Sequence, residues 1–366
     1  MTEHRRKDLM SGPAAHRLVV VVPWLQGGGA QAALRETMRR LEATNAVLVV
    51  CFDDNRNTAS LEAEFHEVHL LRGRKSAHGA WKASRWLSAF LEPGDVVFSL
   101  MRGSHVVLGM LPVRQLRSLE VVASFHQLPS VDAQGRLSFL ENMLVRRAVS
   151  RAELVTSPST RGLRELRARK LIRPGAGVVS PNLIEECARP LVPPRTGPLG
   201  ELRLLLAGRL DHQKGIDRIE DLLSGSPIPI RLLVAGEGPL RPVVERLVAK
   251  PGQLVVDYRG HVDDVFELID AVDFLFLPSR YELNPVVVWE AWARGRAAIT
   301  SDVAAFQDLA ESGPLRTFHD RDSLHALLLQ AAAADSPERD GLLDTPDVSV
   351  ADNPLLLELQ GLLAHE

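Results

Sequence analysis

The chain is punctuated by short, apolar, β-branched runs, each closed by glycine or a polar cluster and followed by a stretch of helical periodicity. The first, Leu18-Val-Val-Val-Val-Pro23, shows no polar alternation, the pattern of a parallel strand covered on both faces. Comparable runs lie at 46–52, 68–71, 95–100, 120–125, 153–157 and 177–180. Strands alternating with helices at this spacing predict a parallel, doubly wound α/β sheet. A second alternation follows, with runs at 202–207, 230–235, 254–258, 274–277 and 297–300. Between the two, residues 189–200 are dense in proline and glycine and carry no periodic pattern, which marks a domain boundary.

The expected organisation is a flexible tail (1–15), an N-terminal Rossmann-like domain (16–190), a linker (191–200), a second Rossmann-like domain (201–345) and a C-terminal amphipathic helix within 346–366 whose role is packing. Strand ends gather on one edge of the second sheet and the glycine turn of the first supplies a facing edge, so a cleft between the domains is expected. A length of 366 residues fits two cores. With a net charge of −3 and 45% hydrophobic residues, nothing points to a nucleic-acid binder or a disordered chain. Cys51 and Cys187 lack the spacing of a zinc site or a disulfide framework, and neither a signal peptide nor a membrane-length apolar run is present, so a cytoplasmic setting is expected.

After the first strand, Gly27, Gly28 and Gly29 form a turn whose backbone amides suit a phosphate. The pattern also matches G-x-G-x-x-A, with Asp53 closing the next strand as a ribose-binding acid does in dinucleotide folds. The same glycines equally suit plain strand-to-helix packing. His126 follows the fifth strand, at the carboxyl end where open parallel sheets place ligands, and a structural histidine is the even alternative. Two basic stretches, Arg72 to Trp86 and Arg161 to Arg173, suit a solvated helix face or an anionic membrane; the solvated face is the default, because Glu165 interrupts the second and the first is short.

The most informative segment runs from Phe274 to Gly295, an apolar run that breaks at Pro278-Ser279 and restarts as a helix. Asn284 is the expected N-cap and Pro285 the first helical residue. The amides of Val286 and Val287 then point outward and form an anion site at a strand's carboxyl end. Glu290 lies about 7 Å further along the axis, the offset between a diphosphate and a ribose. Glu282, in the turn, is left to face whatever the far phosphate carries. Taken alone, two glutamates at this spacing read by default as surface residues.

Four motifs in register carry a resemblance: Gly208-Arg-Leu-Asp-His-Gln-Lys-Gly215, Gly236-Glu-Gly-Pro-Leu-Arg241, Gly260-His-Val-Asp-Asp264, and Pro278-Ser-Arg-Tyr-Glu282 through Glu290-Ala to Gly295. In order and spacing they resemble the retaining glycosyltransferases of the group-one, family-four type, which have the two-Rossmann GT-B architecture. The likeness is strong over about 200 to 310, and weaker in the first half through the glycine turn, His126 and Ser180-Pro-Asn182. It implies that Arg209 and Lys214 bind the donor diphosphate, that Glu290 holds the ribose hydroxyls and that Glu282 lies near the donor sugar. It further implies that backbone around Gly260 and Val262 borders the base, that Gly236 and the Asn284–Val287 turn belong to the donor site, that the Gly28 and Gly29 amides meet the phosphates, and that His126 approaches the transferred sugar. Retention on one face of the sugar, with a leaving-group oxygen taking the acceptor proton, accounts for the lack of an obvious general base. With no D-x-D motif in the chain, Arg209 and Lys214 replace a metal's neutralising role, and no cofactor is expected.

The sequence departs from that pattern at Leu283-Asn284-Pro285, at Arg296-Ala297 and at Ala304-Ala305, which leaves the donor sugar open. The expected partners are a nucleoside diphosphate-sugar, such as a UDP-sugar, and a hydroxylated acceptor. The acceptor is either a small natural product such as an aminocyclitol or a polysaccharide or lipid-linked sugar. A sugar-nucleotide epimerase or phosphorylase shares the cleft but explains the glutamates and cations less well. An NAD-dependent oxidoreductase explains only Gly27 to Asp53. A binding protein that has lost activity does not need both cations and both glutamates.

Overall fold

Every apolar run named above becomes a strand, and every strand is parallel to its neighbours. The computed structural model describes residues 16–25, 29–52, 63–132, 138–185, 187, 189–193, 195, 200–262, 264–333 and 353–364. Gly27, Gly28, Asp53 and the expected tail lie outside them. In chain order the elements are β1 (Leu18–Val22), α1 (Gly29–Leu41), β2 (Val47–Phe52), β3 (Glu67–Gly73), α2 (Ala77–Phe90), β4 (Val96–Leu100), α3 (Met101–Gly109), α4 (Val113–Leu116), β5 (Glu120–Ser124), α5 (Pro129–Asp132), α6 (Ser138–Val149), β6 (Leu154–Ser157), α7 (Thr160–Ala168) and β7 (Val178–Val179). There follow β8 (Leu202–Ala207), α8 (Ile219–Leu223), β9 (Ile230–Ala235), α9 (Arg241–Val248), β10 (Leu254–Gly260), α10 (Val265–Asp270), β11 (Phe274–Leu277), α11 (Val286–Ala293), β12 (Ala297–Ser301), α12 (Ala304–Ala310), β13 (Leu315–Phe318), α13 (Arg321–Ala332) and α14 (Pro354–Ala364).

Contacts divide the chain into one unit of residues 1–26, 34–181 and 349–366 and a second of 27–33 and 182–348. The first unit holds the sheet β3-β2-β1-β4-β5-β6-β7, the second the sheet β10-β9-β8-β11-β12-β13. In each, the strand order reverses beside the first strand, at β1/β4 and at β8/β11. Loops at the carboxyl ends of strands that flank such a reversal diverge to opposite faces and leave a crevice for ligands.

The second sheet is buried on both faces. Leu204, Leu206, Phe274, Phe276 and Ile299 pack on one side with Leu324 and Leu328 of α13, while Leu205, Leu275, Leu277 and Ala298 pack on the other with Val288 and Trp292 of α11. The edge strand β13 was not among the expected runs, and three of its four residues are only partly buried. In the first unit, Leu355 and Leu359 of α14 pack with Leu18, Val20, Val96 and Phe98. The last helix thus completes the core of the first unit. Asn353 secures it, accepting a hydrogen bond from Ser180 Oγ (2.9 Å) and donating from Nδ2 to the carbonyl of Pro181 (3.1 Å). Among the described residues, no helix is long and apolar enough to cross a membrane.

Candidate active site

The β8/β11 reversal is where the sequence motifs meet. Residues 208–215 leave β8, residues 278–285 leave β11, and the two loops are stitched together. The guanidinium of Arg280 grips Asp217 through two bonds of 2.7 Å and donates to the carbonyl of His212 (2.8 Å), and the Arg280 amide donates to the carbonyl of Gln213 (2.8 Å). Arg280 holds the Asp217 carboxyl below its usual range. From the other side, Arg218 donates to the carbonyl of Pro278 (3.0 Å). Gly215 sits at the tightest point of the seam: its φ is +70°, and a Cβ there would stand 2.0 Å from the oxygen of Pro278. The expected helix after Gly215 begins as a 3₁₀ turn, Ile216–Arg218, before α8.

This seam brings Lys214 onto Glu282. The ammonium donates to Glu282 Oε1 at 2.6 Å, and Ser279 Oγ donates to the same oxygen at 3.0 Å. Glu282 is therefore buried and bonded, where the sequence had suggested a carboxylate left to face a ligand. Arg209 lies on the same loop, partly exposed, with Nε donating to Asp211 Oδ2 at 2.5 Å. Asp211 also accepts from the amide of Lys214 at 3.0 Å. One carboxylate thus orients the guanidinium and the backbone that carries the ammonium. Sequence reasoning did not single out Asp211, although it lies inside the first motif.

Glycines at the adjacent strand ends let this loop pack. Gly236, after β9, has φ +131°, and a Cβ on it would stand 1.9 Å from the carbonyl oxygen of Gly208. Its amide donates to the carbonyl of Gly260 (2.6 Å), which closes β10 at an irregularity in the β9/β10 register. Backbone packing alone requires glycine at 236, whatever binds there. Val262 packs on the core beside Val265 and Phe266.

One expectation about α11 is corrected. The N-cap is Pro285 rather than Asn284, and no side chain caps the helix. The Asn284 side chain is turned elsewhere, with Oδ1 accepting from Trp289 Nε1 at 2.7 Å, while its carbonyl accepts from Asn182 Nδ2 at 3.0 Å. Val286 and Val287 take the first two helical positions, whose amides lie outside the helical ladder. Glu290 is one turn further, partly buried. Desolvation, with Glu185 nearby, raises its carboxyl to about 7.

These four motifs, joined at one reversal, invite comparison with known proteins. Residues 201–333 match the model for Glycosyl transferases group 1, and residues 27–186 match the model for Glycosyltransferase Family 4. The chain belongs to the glycosyltransferases of group 1 and family 4. Among curated relatives, the GDP-mannose-dependent alpha-(1-6)-phosphatidylinositol dimannoside mannosyltransferase of Mycobacterium tuberculosis is 32% identical over 121 residues, 31% of each chain. Alpha-D-kanosaminyltransferase of Streptomyces kanamyceticus is 27% identical over 139 residues, 34% of this chain and 36% of the relative. The match spans about a third of the length of these relatives. Among solved structures, HepE of Anabaena in complex with UDP and glucose superposes with TM-score 0.72 at 15% identity over 95% of this chain and 98% of that one. Sucrose-phosphate synthase from Thermosynechococcus elongatus gives TM-score 0.67 at 17% identity over 95% and 98%. At such identities the likeness shows the fold, which is GT-B.

The candidate residues of the N-terminal half are described separately. Gly29 is the first residue of α1, and Gly28 lies outside the described residues. His126 follows β5, and its Nε2 lies 3.0 Å from Ser124 Oγ. Ser124 and Thr156 are cross-strand partners, and Thr156 Oγ1 donates to Ser124 Oγ at 2.9 Å. Thr156 is fully buried, so its proton goes to Ser124. The direction of the bond between Ser124 Oγ and His126 Nε2 follows the tautomer of the ring. A second histidine, His105, is buried against Ser99 (2.8 Å), and desolvation lowers it to about 3, so it stays neutral. Arg102 and Ser104 are buried: Arg102 pairs with Glu141 (3.2 Å), and Ser104 donates to the carbonyl of Met101 (2.8 Å).

Proposed function

We propose that this chain is a retaining, hexosyl-type glycosyltransferase that moves a sugar from a nucleoside diphosphate-sugar to a hydroxyl of its acceptor. The observation that carries this reading is the junction of the two loops at the β8/β11 reversal, where Arg209, Lys214 and Glu282 are held together immediately before α11. An ammonium has three donors, and one bond to Glu282 leaves two to meet phosphate oxygens. With the guanidinium of Arg209 it forms a clamp whose attraction grows as the leaving diphosphate gains charge in the transition state. The outward amides of Val286 and Val287 meet the same phosphates, and Glu290 accepts from the ribose hydroxyls.

In the transfer, the bond from the sugar's anomeric carbon to the diphosphate oxygen breaks and the acceptor oxygen bonds to the same face. The acceptor's proton passes to the departing diphosphate. The family resemblance assigns His126 to the neighbourhood of the transferred sugar. Neutralisation comes from Arg209 and Lys214, and the reaction needs no metal. Two donors are favoured as candidates by named relatives: a UDP-sugar, because HepE was solved with UDP and glucose, and a GDP-sugar, because the mycobacterial relative is GDP-mannose-dependent. The acceptor is a small aminated or hydroxylated molecule or a lipid- or polymer-linked sugar.

The test is a thermal-shift screen of nucleoside diphosphates and their sugars, followed by mass spectrometry of transfer to candidate acceptors. Release of diphosphate that depends on acceptor supports the reading. Unchanged turnover in Lys214→Ala and Glu290→Ala variants defeats the site assignment.

A further inference from the structure

We propose that one end of the first unit, formed by the N-terminal halves of α2 and α6, docks on an anionic lipid surface. Between Glu67 and Glu92 the chain carries no acidic residue, and Arg72, Arg74, Lys75, Lys82 and Arg85 are all exposed. The two tryptophans of this stretch have opposite fates. Trp86 turns inward and stacks on Phe90 at 4.7 Å, whereas Trp81 is 47% exposed, with the imidazole of His78 stacked at 5.8 Å and the guanidinium of Arg85 5.2 Å from its centroid. An indole in water with a guanidinium over its face suits the boundary between headgroups and acyl chains.

A second, independent feature lies on α6. Phe139, Leu140 and Met143 share one side of the helix and are 70%, 51% and 51% exposed. Helices α2 and α6 both pack against α3, and in a parallel sheet all three enter from the strands' carboxyl ends, so their first turns lie at the same end. Arg102, in the first turn of α3, bonds Glu141 in the first turn of α6, and both Arg102 and Lys75 act electrostatically on Asp132. The cations and the apolar triad therefore lie at one end of the unit. Cations alone would suit any polyanion; the exposed Trp81 and the apolar triad beside them favour a lipid surface, which offers charge and hydrocarbon together.

Flotation of the full chain with vesicles tests this without any sugar donor, so its outcome is separate from that of the transferase reading. The chain is expected to float with phosphatidylcholine vesicles containing phosphatidylglycerol and not with phosphatidylcholine alone, and high salt weakens binding. Lys82→Glu with Arg85→Glu, and separately Phe139→Ser with Leu140→Ser and Met143→Ser, each weaken binding about tenfold while keeping the wild-type melting temperature. Should a variant not fold, quenching of tryptophan fluorescence by brominated acyl chains in the wild-type protein decides the same point, since only an inserted indole is quenched. Absence of flotation at low salt, binding unaltered in both folded variants, or binding to dextran sulfate but not to vesicles overturns the proposal.

Discussion

Lys214 and Glu282, 68 residues apart in the chain, meet at 2.6 Å with side chains only 17% and 6% exposed. Removing one partner of such a pair leaves a buried charge without compensation. Lys214→Ala is expected to destabilise the second unit by about 3 kcal/mol. Glu282→Gln, which can still accept from Ser279, costs less. The double variant Lys214→Met/Glu282→Gln recovers most of the loss. Denaturant unfolding of all four proteins as a double-mutant cycle checks this; simple additivity would show that the two residues do not act as a unit.

Gly215 and Gly236 hold the loops together through positions closed to any side chain. Gly215→Ala meets the oxygen of Pro278 at 2.0 Å and Gly236→Ala that of Gly208 at 1.9 Å, each at positive φ. Each substitution should cost about 2 kcal/mol or more. Gly175→Ala also has positive φ but nothing within 4 Å, so it serves as the control for strain without a clash. Thermal unfolding separates the cases.

Glu290 links stability to pH. Its carboxyl is raised from 4.5 to about 7, chiefly by desolvation and next by Glu185. A carboxyl raised in the folded state holds its proton more tightly there, so its stabilising contribution is complete below 4.5 and is lost as pH climbs through about 7. Glu290→Gln removes this dependence. The variant's melting temperature should therefore gain on the wild type between about pH 5 and about pH 8. Nucleoside affinity should move the other way, rising with pH in the wild type as the carboxylate becomes a better acceptor for ribose hydroxyls, and staying flat in the variant.

Ser124 Oγ, which accepts from Thr156, is expected to donate to His126 Nε2, which puts the ring proton on Nδ1. Nitrogen-15 NMR of histidine-labelled protein should show Nδ1 protonated and Nε2 bare near neutral pH. Thr156→Val leaves Ser124 able to donate and should preserve that pattern, whereas Ser124→Ala should mix the tautomers and raise the KM for the donor sugar more than it lowers kcat. An Nε2-protonated ring in the wild type would contradict the hydrogen-bond assignment.

Chelation tests the neutralising role of the two cations. Turnover should persist after dialysis against EDTA and fall by about two orders of magnitude in Arg209→Ala. Loss of turnover on chelation, restored by a divalent cation, would replace the guanidinium and ammonium with a metal.

The strands were legible because they are buried on both faces: Leu18 to Val22 and Phe274 to Leu277 could satisfy their patterns in few other ways. β13 was missed for the converse reason, since Leu315-Arg-Thr-Phe318 has one fully buried residue and reads as a loop. The motifs told which residues would gather and not how they would bond. Lys214 on Glu282, or Arg280 on Asp217, depends on two loops meeting, and no local pattern encodes that. The N-cap was misassigned because local propensity favours Asn, while in the fold the Asn284 side chain meets the indole of Trp289, five residues away. Within the basic stretch at 72–86 the sequence alone does not tell the inward Trp86 from the outward Trp81.

The return of the last helix to the first unit sets a rule for dissecting the protein. A fragment ending at Pro181 would lack Leu355 and Leu359, leaving Leu18, Val20 and Phe98 without part of their cover. The peptide 353–364 supplied in trans should bind that fragment and raise its solubility, as a missing stave tightens a barrel.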